Sequence, residues 1–496
     1  MNRRCLLLLS LLIFVSTNLL AQQTITGKVT DENNDPIVGA NVLVKGTNNG
    51  TITDMDGVFN ITAPEDATLL FSFVGYATQE IAVAGNTNIE VKLLPDDNAL
   101  EEVVVTALGI ERDKKALGYA VQDVKSDELT TTGDANIATA LQGKVAGVII
   151  NQSGSGIGGT SRIEIRGASS LSDNNQPLIV VDGVPFNSAD QGEAGIWGGV
   201  ESAGGMADIN PQDIESISVL KGPNAAALYG SRAGNGVILI TTKKGSSKGL
   251  NIDYNGNVTV SQLAYYLDLQ DDYGQGHEGV YDRFATSSWG PKMGGQMLES
   301  WTGETIPYEA QTDRLKDFTR LGVSQNHNIS LSAGGEKGTI RVSAAKSIEN
   351  GVYNDHKVEK SNFDLRGVYD VTDWLNVDAK ASYFLTKGQE RPEMGYYSYI
   401  SYFNAMPMNI RTEDLKPGYE ISPTGEHIEK LYTTANANYR NPYFLEAQTY
   451  NNDERYRGFG YFAANIKFTD EIKLRLKYGL DFSERVQIMV IIMLTM

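Results

Sequence analysis

Four histidines are the residues of this chain best suited to metal binding or proton transfer, but their spacing supports neither role. His277, His327, His356 and His427 stand far apart in the sequence, and no two of them form a paired ligand spacing. His277 is followed by Glu278, yet no second histidine follows at the spacing of a zinc-protease helix. The histidines therefore predict neither a metal centre nor a general base.

Glycine-rich and serine-rich stretches could bind phosphate or attack a carbonyl carbon. Residues 153–160, SGSGIGGT, contain a GxGxxG spacing, but they lack the following helix and downstream acid of a nucleotide site. The sequence has no GxxxxGK[ST] phosphate loop and no GxSxG nucleophile turn. We therefore predict no enzymatic activity and no cofactor. Without a phosphate loop, any energy-requiring work by this protein would need energy from a partner.

The acidic turn Asp54–Met55–Asp56–Gly57 has some of the residue types of a calcium-binding loop. It lacks the regularly spaced oxygen ligands that such a loop requires. A hairpin turn closed by Asp-Gly is the favoured interpretation, because this dipeptide suits the positive φ angles of tight turns.

The first 21 residues have the pattern of a secretory signal peptide. Arg3 and Arg4 form a basic region, Leu6–Val15 an apolar core, and Ala21 a small residue at a cleavage point. Cys5 is the only cysteine and leaves with this peptide, so the mature chain has no disulfide and no thiol chemistry. Loss of the two arginines takes the formal net charge from −19 to −21, which argues against a nucleic-acid partner.

Three segments with different patterns follow the signal peptide, and they predict a mainly β protein. Residues 22–95 contain about seven short strands separated by turn signals, which predicts a β-sandwich. Residues 113–245 mix short helices and strands with glycines at the turns, which predicts a compact α/β domain. Between them, residues 96–112 include EEVVVTALG, whose consecutive valines favour a strand, although the polar sequence that follows offers no obvious partner strand.

From residue 246 to residue 485 the chain alternates apolar and polar residues in about seven strands. Residues 375–386, LNVDAKASYFLT, and residues 471–483, EIKLRLKYGLDFS, show the pattern most plainly. The links between strands are alternately long and short, which is typical of an outer-membrane β-barrel with extracellular loops and periplasmic turns. A sandwich with alternating faces is the alternative interpretation.

Four stretches in this order resemble one known family. Residues 27–61 resemble the carboxypeptidase-regulatory-like domain that precedes many outer-membrane proteins, and EEVVVTALGIER resembles a TonB box. Four further stretches are similar to the plug signatures of the SusC/RagA family of TonB-linked transporters: LQGKVAGVII, IEIRGASSL, PLIVVDGVPF and DIESISVLKGPNAAALYGSRAGNGVILITTKKG. The resemblance extends from residue 24 to about residue 483.

The resemblance implies TonB-dependent import of an oligosaccharide or a peptide across the outer membrane, together with a SusD-like surface lipoprotein. It also implies that residues 113–245 form a plug inside a lipid-embedded barrel. A strand donated to TonB would gain affinity from main-chain hydrogen bonds and fit from alternate side chains. The residues assigned to this strand are Glu102, Val103, Val104, Val105 and Thr106.

Two charged residues lie in the plug signature strands, Arg166 in IRG and Asp182 in VDG. Two interpretations remain open for them. They form ionic latches that hold the plug to the barrel wall, or they are ordinary exposed charges at turns.

The sequence departs from the family in its number of strands. A plugged lumen belongs to barrels of about 22 strands, whereas residues 246–485 provide about seven. The alternation is expected to stop at Ser483, which leaves residues 486–496 as an aberrant tail. We therefore expect a truncated, N-terminal portion of a transporter in the outer membrane. The alternative is a periplasmic fragment that binds TonB and transports nothing.

An aromatic-rich stretch, residues 395–409, lies in one of the long links. Its rings would stack on sugar rings of a substrate, or they would form the aromatic girdle at the membrane interface. The sequence supports both interpretations equally.

Overall fold

The computed structural model describes residues 22–490 with gaps. The gaps are residues 48, 74–75, 95–102, 106–110, 114–120, 132, 134–135, 171–174, 189–191, 193, 203, 222–228, 247–248, 435–438, 449 and 470. The predicted signal peptide, residues 1–21, and the end of the predicted tail, residues 491–496, lie outside the described residues. So do Glu102 and Thr106 at the two ends of the predicted TonB box.

Residues 22–94 form the predicted β-sandwich. A three-stranded sheet of order β4-β1-β7 and a four-stranded sheet of order β3-β2-β5-β6 supply its two layers. The strands are β1 (Gln22–Thr30), β2 (Asn41–Val44), β3 (Gly50–Ile52), β4 (Val58–Pro64), β5 (Thr68–Ser72), β6 (Gln79–Ala82) and β7 (Asn88–Lys92). Alternate residues of β4 point inward, and Phe59 meets Phe71 of β5 in the core with ring centroids 5.3 Å apart.

The acidic turn of the sandwich is stabilised by hydrogen bonds from its own backbone N–H groups to an aspartate side chain. The Asp54 carboxylate oxygen Oδ1 accepts hydrogen bonds from the N–H groups of Asp56 at 3.0 Å and Val58 at 2.8 Å, and Gly57 has a φ of +74°. The turn joins β3 to β4, which belong to different sheets, so it is a tight turn between layers rather than a hairpin within one sheet. Nowhere in the described part of the chain do three or more His, Cys, Asp or Glu residues group so as to hold a metal ion.

The chain divides into two compact units, and the division passes through the predicted TonB-box segment between Val104 and Val105. Val103–Val105 form β8, which pairs with β9 (Glu111–Asp113) in a two-stranded sheet. The sequence suggested no partner for the valine strand, because the partner is a short polar segment without β-branched residues. In this sheet, each strand keeps one edge without a neighbour among the described residues.

The next domain is the predicted α/β domain. Its strands are β10 (Val121–Lys125), β11 (Val148–Gln152), β12 (Ser161–Ile165), β13 (Leu178–Val181), β14 (Val184–Phe186), β15 (Ile214–Leu220) and β16 (Val237–Thr242). Five of them form a mixed sheet of order β10-β15-β16-β13-β14, and β11 pairs with β12. Two short helices are described, α1 (Ser126–Thr130) and α2 (Ile137–Leu141), while the helix predicted near residues 222–228 falls outside the described residues.

Residues 249–490 contain the predicted alternating strands. In chain order the strands are β17 (Gly249–Ser261), β18 (Met297–Glu299), β19 (Thr305–Pro307), β20 (Gly322–Gly335), β21 (Gly338–Asn350), β22 (Lys357–Thr372), β23 (Leu375–Gln389), β24 (Tyr419–Ile421), β25 (His427–Glu429), β26 (Tyr450–Lys467) and β27 (Lys473–Val490). Seven of these form one antiparallel sheet of order β17-β20-β21-β22-β23-β26-β27. The predicted count of seven strands is therefore confirmed.

The seven-stranded sheet buries its polar face and exposes its apolar face. On β22, Asp364 and Arg366 are buried, while Phe363 and Leu365, which alternate with them, are 55% and 46% exposed. The same inversion continues on β27, where Tyr478, Leu480 and the following alternate residues point outward. An apolar outer band around a polar interior is the pattern of strands that face lipid.

The end of β27 differs from the prediction. Alternation was expected to stop at Ser483, but β27 continues in register with β26 to Val490. Val486 and Ile488 are exposed on the apolar face, and Gln487 on the other face donates a hydrogen bond to Asn451 at 3.0 Å. The prediction of a tail from residue 486 is therefore wrong for residues 486–490, because Glu484 interrupts the alternation at a single position.

The two long links of the sheet fold onto each other around an aromatic core. Four helices belong to this region, α3 (Arg314–Phe318), α4 (Tyr399–Ala405), α5 (Thr412–Leu415) and α6 (Pro442–Gln448). The ring of Phe318 lies 5.1 Å from Tyr399, 5.0 Å from Phe403 and 5.2 Å from Tyr443. Neither prediction for the aromatic stretch, a sugar platform or a girdle, holds for Phe403, which is buried in the loop core. No described helix is both long enough and apolar enough to cross a lipid bilayer.

Candidate functional site

The α/β domain and the seven-stranded sheet share one buried interface. The apolar core of the α/β domain includes Phe384 of β23 and Phe459 of β26, which project from the inner face of the sheet. Phe459 meets Phe186 of β14 edge to face, with ring centroids 5.3 Å apart. Around this apolar centre, three buried aspartates of the α/β domain face basic residues of the sheet: Asp182, Asp208 and Asp213.

Asp182 is positioned by a tight turn between β13 and β14. Its φ of +49° lies in the left-handed region, which Asp tolerates better than most residues. Thr242 at the end of β16 fixes the carboxylate, because its N–H donates to Oδ1 at 2.9 Å and its hydroxyl donates to Oδ2 at 2.7 Å. The carboxylate therefore has a defined orientation before any contact with the sheet.

Two basic side chains of the sheet reach the Asp182 carboxylate. Arg366 of β22 lies 3.5 Å from Oδ1 and Lys380 of β23 lies 3.4 Å from Oδ2, and all three side chains are at most 5% exposed. Arg366 also binds Asp378 through two hydrogen bonds of 3.2 and 2.9 Å. The side chain of Lys477 on β27 donates a hydrogen bond to the Asp182 carbonyl oxygen. Asp182 thus contacts three strands of the sheet.

The net effect of these contacts lowers the pKa of Asp182. Complete burial by itself raises the pKa, because a charged carboxylate loses its hydration. The charges of Lys380 and Arg366, together with the two hydrogen bonds from Thr242, outweigh burial. Asp182 is therefore ionised at neutral pH and carries a full charge into the interface.

Asp208 ends a 3-10 helix, Gly205–Asp208, and forms the second contact. Its carboxylate binds Arg455, and Arg457 lies 3.3 Å from its other oxygen. Arg457 also binds Asp481 at 2.6 Å and lies over the ring of Phe186, 3.5 Å from its centroid. Ion pairing and cation–π contact thus bind the same arginine to the α/β domain.

Asp213 forms the third contact on another part of the sheet. Arg341 of β21 lies 2.7 Å from its carboxylate, and both side chains are less than 10% exposed. Asn210, three residues earlier, donates to Asp213 at 3.1 Å and to Asn328 of β20 at 2.9 Å. The three aspartates therefore distribute the interface over β21, β22, β23, β26 and β27, and Asn210 extends it to β20.

The two residues singled out from the sequence lie in different environments. Asp182 occupies the buried contact described above. Arg166 is exposed at the end of β12, has a φ of +64°, and donates its backbone N–H to Gly147 at 2.8 Å. Within the described chain no ion pair of Arg166 occurs, and the structure does not bring it to Asp182. The exposed-turn interpretation fits Arg166, and the buried-contact interpretation fits Asp182.

Sequence reasoning missed Asp208 and Asp213. The sequence feature that could have indicated them lies in the sheet. Arg341, Arg366 and Arg457 occupy polar-face positions of strands whose other face is apolar. Cations on the inner face of a closed or covered sheet require buried anions opposite them. That requirement would have directed attention to acidic residues at turns of the α/β domain.

Comparison with known proteins agrees with this architecture. Residues 25–105 match the CarboxypepD_reg-like domain family, and residues 113–237 match the TonB-dependent Receptor Plug Domain family. The TonB-dependent receptor SusC of Bacteroides thetaiotaomicron is 38% identical over 362 residues, which cover 73% of this chain and 33% of SusC. The ferrienterobactin receptor of Escherichia coli is 35% identical over 150 residues, which cover 30% of this chain and 19% of that receptor.

A solved structure shares the fold over a longer stretch. The RagAB peptide importer in its open-open state superposes with a TM-score of 0.58 at 22% identity, over 78% of this chain and 43% of that chain. The sandwich, the plug domain and the sheet define a TonB-dependent receptor fold. Within that class the chain belongs to the SusC/RagA family. It spans about a third of the length of SusC.

Replacing Asp182 by asparagine should weaken the contact between plug and sheet. Arg366 retains Asp378 and Lys380 retains Asp364, so we expect a loss of about 2 kcal/mol rather than the full cost of an orphaned buried charge. Hydrogen–deuterium exchange of the amides in β13 and β14 should accelerate accordingly. The matched control is Asp127→Asn, an exposed carboxylate of the same domain, and equal exchange in both variants would contradict the prediction.

The contribution of Asp182 should also depend on pH. Because its folded-state pKa lies below the ordinary value of 3.8, its stabilisation is complete above that value and is lost as the pH falls through the folded-state pKa. We expect the difference in exchange protection between the native chain and Asp182→Asn to stay constant from neutral pH down to about pH 5, and to shrink below pH 3.8. A difference that vanishes already near neutral pH would contradict this assignment.

Proposed function

We propose that this chain acts in TonB-dependent import of a large nutrient across the outer membrane, as the plug-bearing part of a SusC/RagA transporter. The observation that carries the proposal is the set of buried aspartates, Asp182, Asp208 and Asp213, which join the plug to the polar face of the sheet. A plug held by ion pairs rather than by a purely apolar core can be displaced and can return, because its contact groups are readily rehydrated.

Energy would enter through the box strand. Glu102–Thr106 would add as a strand to the periplasmic domain of TonB, and Val103–Val105 already have extended backbone with one edge free in their two-stranded sheet among the described residues. Recognition by main-chain hydrogen bonds suits a run of valines, because it needs regular backbone and little side-chain chemistry.

A pull on the box would reach the plug first at an edge strand. The box precedes β10, which lies at the edge of the five-stranded plug sheet and, within the described part of the chain, pairs only with β15. Val121 pairs with Leu220 at the end of β10 nearest the box, so backbone pairs would open one after another from that end. Asp182 and Asp208 lie elsewhere in the plug, so β10 would detach before the ion pairs are loaded.

The proposed substrates are an oligosaccharide or a peptide, and the proposed partner beside TonB is a SusD-like surface lipoprotein. SusC is the relative that suggests the family, and RagAB is named as a peptide importer. The outward apolar residues of the sheet, such as Phe363, Leu365 and Leu480, would contact outer-membrane lipid.

The second proposal is a periplasmic fragment that engages TonB through its box without transport. The box strand favours it, because Val103–Val105 keep one free edge among the described residues and strand addition there needs no barrel.

Fractionation separates the two proposals. A transporter part should partition with outer-membrane vesicles and should migrate differently on gels before and after heating, because folded barrels resist detergent. A periplasmic fragment should appear in the osmotic-shock fraction and show no such change. If a carbonate wash removes the chain from the vesicles, the chain is bound peripherally, which would contradict the transport proposal.

Proline at position 104 should abolish TonB binding. Proline removes a backbone N–H and cannot continue a strand ladder, so Val104→Pro should reduce the affinity for the purified periplasmic domain of TonB about 100-fold or more. Biolayer interferometry with the full chain would measure the change. Val104→Thr keeps β-branching and backbone donors, so it should bind like the native chain. Equal binding by the proline variant would place the TonB contact elsewhere.

A further inference from the structure

A finger-like segment of the plug, residues 192–202, presents aromatic and apolar side chains at its tip. Gly192 and Ser202 form a β-bridge at its base, and the N–H of Gly195 donates to the carbonyl of Gly198 at 2.8 Å across the tip. Between these glycines, Ile196 is 85% exposed and Trp197 is 70% exposed. We call residues 192–202 the plug finger. An exposed tryptophan on a tightly held turn is available to a ligand.

The loop that follows β23 pairs with the plug finger through its backbone. Glu393 forms a β-bridge with Val200, and the N–H of Met394 donates to Gly199 at 2.9 Å. The N–H of Tyr396 donates to the carbonyl of Ile196 at 2.9 Å. These hydrogen bonds use the backbone carbonyl groups of Ile196 and Gly199. A ligand on this side of the finger would therefore contact side chains rather than the backbone.

Two tyrosines of this loop extend the aromatic tip. The ring of Tyr396 lies 5.9 Å from Trp197 and 5.3 Å from Tyr397, both in edge-on arrangements. Tyr396 and Tyr397 are 46% and 38% exposed, whereas Phe403 of the same stretch is buried. The structure thus reduces the aromatic stretch to two available rings and adds a third, Trp197, from a distant part of the sequence.

A close glycine contact holds the loop against the finger. Gly395 has a φ of +72°, and a Cβ atom there would lie 2.6 Å from the carbonyl oxygen of Gly195. At Gly198 a Cβ atom would lie 2.7 Å from the Glu393 carboxylate and 3.1 Å from the ring of Tyr397. A larger residue at Gly395 would collide with the backbone of the finger, and the Glu393 carboxylate and the Tyr397 ring both pack against Gly198, so the rings and the carboxylate lie close together.

We propose that Trp197, Tyr396 and Tyr397 form a stacking site for the sugar rings of a neutral oligosaccharide, with Glu393 as a hydrogen-bond partner for hydroxyl groups. This inference rests on the proposed import function, because it names the substrate class. Exposed aromatic faces bind the apolar faces of sugar rings, and a carboxylate accepts hydroxyl protons. Glu393 is half-buried, and its carboxylate and the Tyr397 ring lie against the same residue of the finger, Gly198.

The same geometry disfavours an extended peptide and a protein partner. Extended peptides are commonly bound by adding a strand to an exposed edge. On the finger, the backbone carbonyl groups of Ile196 and Gly199 already accept hydrogen bonds from the loop after β23. A stable protein interface needs about 800 Å² on each partner, which is far more than three side chains provide. A sugar ring needs one aromatic face and a few polar groups, which this site has.

Calorimetry with three probes tests the proposal on the detergent-extracted full chain: cellohexaose, maltohexaose and a neutral hexapeptide. At least one hexasaccharide should bind, and Trp197→Ala should weaken that binding about tenfold, the typical loss of one stacking contact. Trp197→Phe retains a smaller ring and should show an intermediate loss. The matched control is Trp374→Ala, a tryptophan that is 54% exposed in the short turn between β22 and β23, and it should leave binding unchanged.

Several outcomes would overturn the site. These are the absence of hexasaccharide binding at millimolar concentration, binding of the hexapeptide alone, or equal losses in the Trp197→Ala and Trp374→Ala variants. TonB binding by the same preparations separates this inference from the proposed function. Saccharide binding that depends on Trp197, in a chain that fails to bind TonB, supports the site and contradicts TonB-driven import. TonB binding without saccharide binding supports TonB-driven import and contradicts the stacking site.

Discussion

Buried positive charge on the inner face of the sheet is the constraint on which the rest of the structure depends. Arg366, Lys380 and Arg457 lie on the polar face of strands whose other face is apolar, so water cannot reach them from outside. An unpaired buried cation costs several kcal/mol, and removal of one partner from a buried pair typically costs about 3–5 kcal/mol. The sheet itself supplies Asp378, Asp364 and Asp481 as partners, and the plug adds Asp182 and Asp208. The plug and the sheet therefore compensate these buried cations together.

This constraint explains why short loops of the plug have a precisely defined conformation. Asp182 adopts a left-handed conformation in its turn, and Thr242 orients its carboxylate from the neighbouring strand. Asp208 ends a 3-10 helix whose Gly205 passes close to the carbonyl of Asn187 and to Arg457. An interface made mainly of apolar contacts would tolerate small shifts of these loops. Paired buried charges do not, because hydrogen-bond geometry decides whether each charge is compensated.

The sequence allowed the strands to be predicted better than the contacts between them. Alternation has a period of two residues, so β22, β23 and β27 could be recognised locally, and a single outward Glu484 was enough to misplace the end of β27. Asp182 could be selected because it lies in a signature strand. Asp208 could not, since its partner Arg457 is more than two hundred residues away and no local pattern links them. Phe403 and Tyr396 have the same local composition, and only the folded loops separate a core ring from an exposed one.

The distribution of contacts within the plug gives its proposed movement a direction. In the described structure β10 is an edge strand that pairs with one neighbour, whereas β13 and β16 lie inside the sheet and carry Asp182 and Thr242 at their ends. A force applied ahead of β10 would therefore meet separable backbone pairs first and paired charges later. Those charges would be rehydrated as they part, which lowers the cost of separation and lets the same pairs form again when the force ends. The polar interface thus combines specific seating with reversible release, which an apolar interface of equal area would not provide.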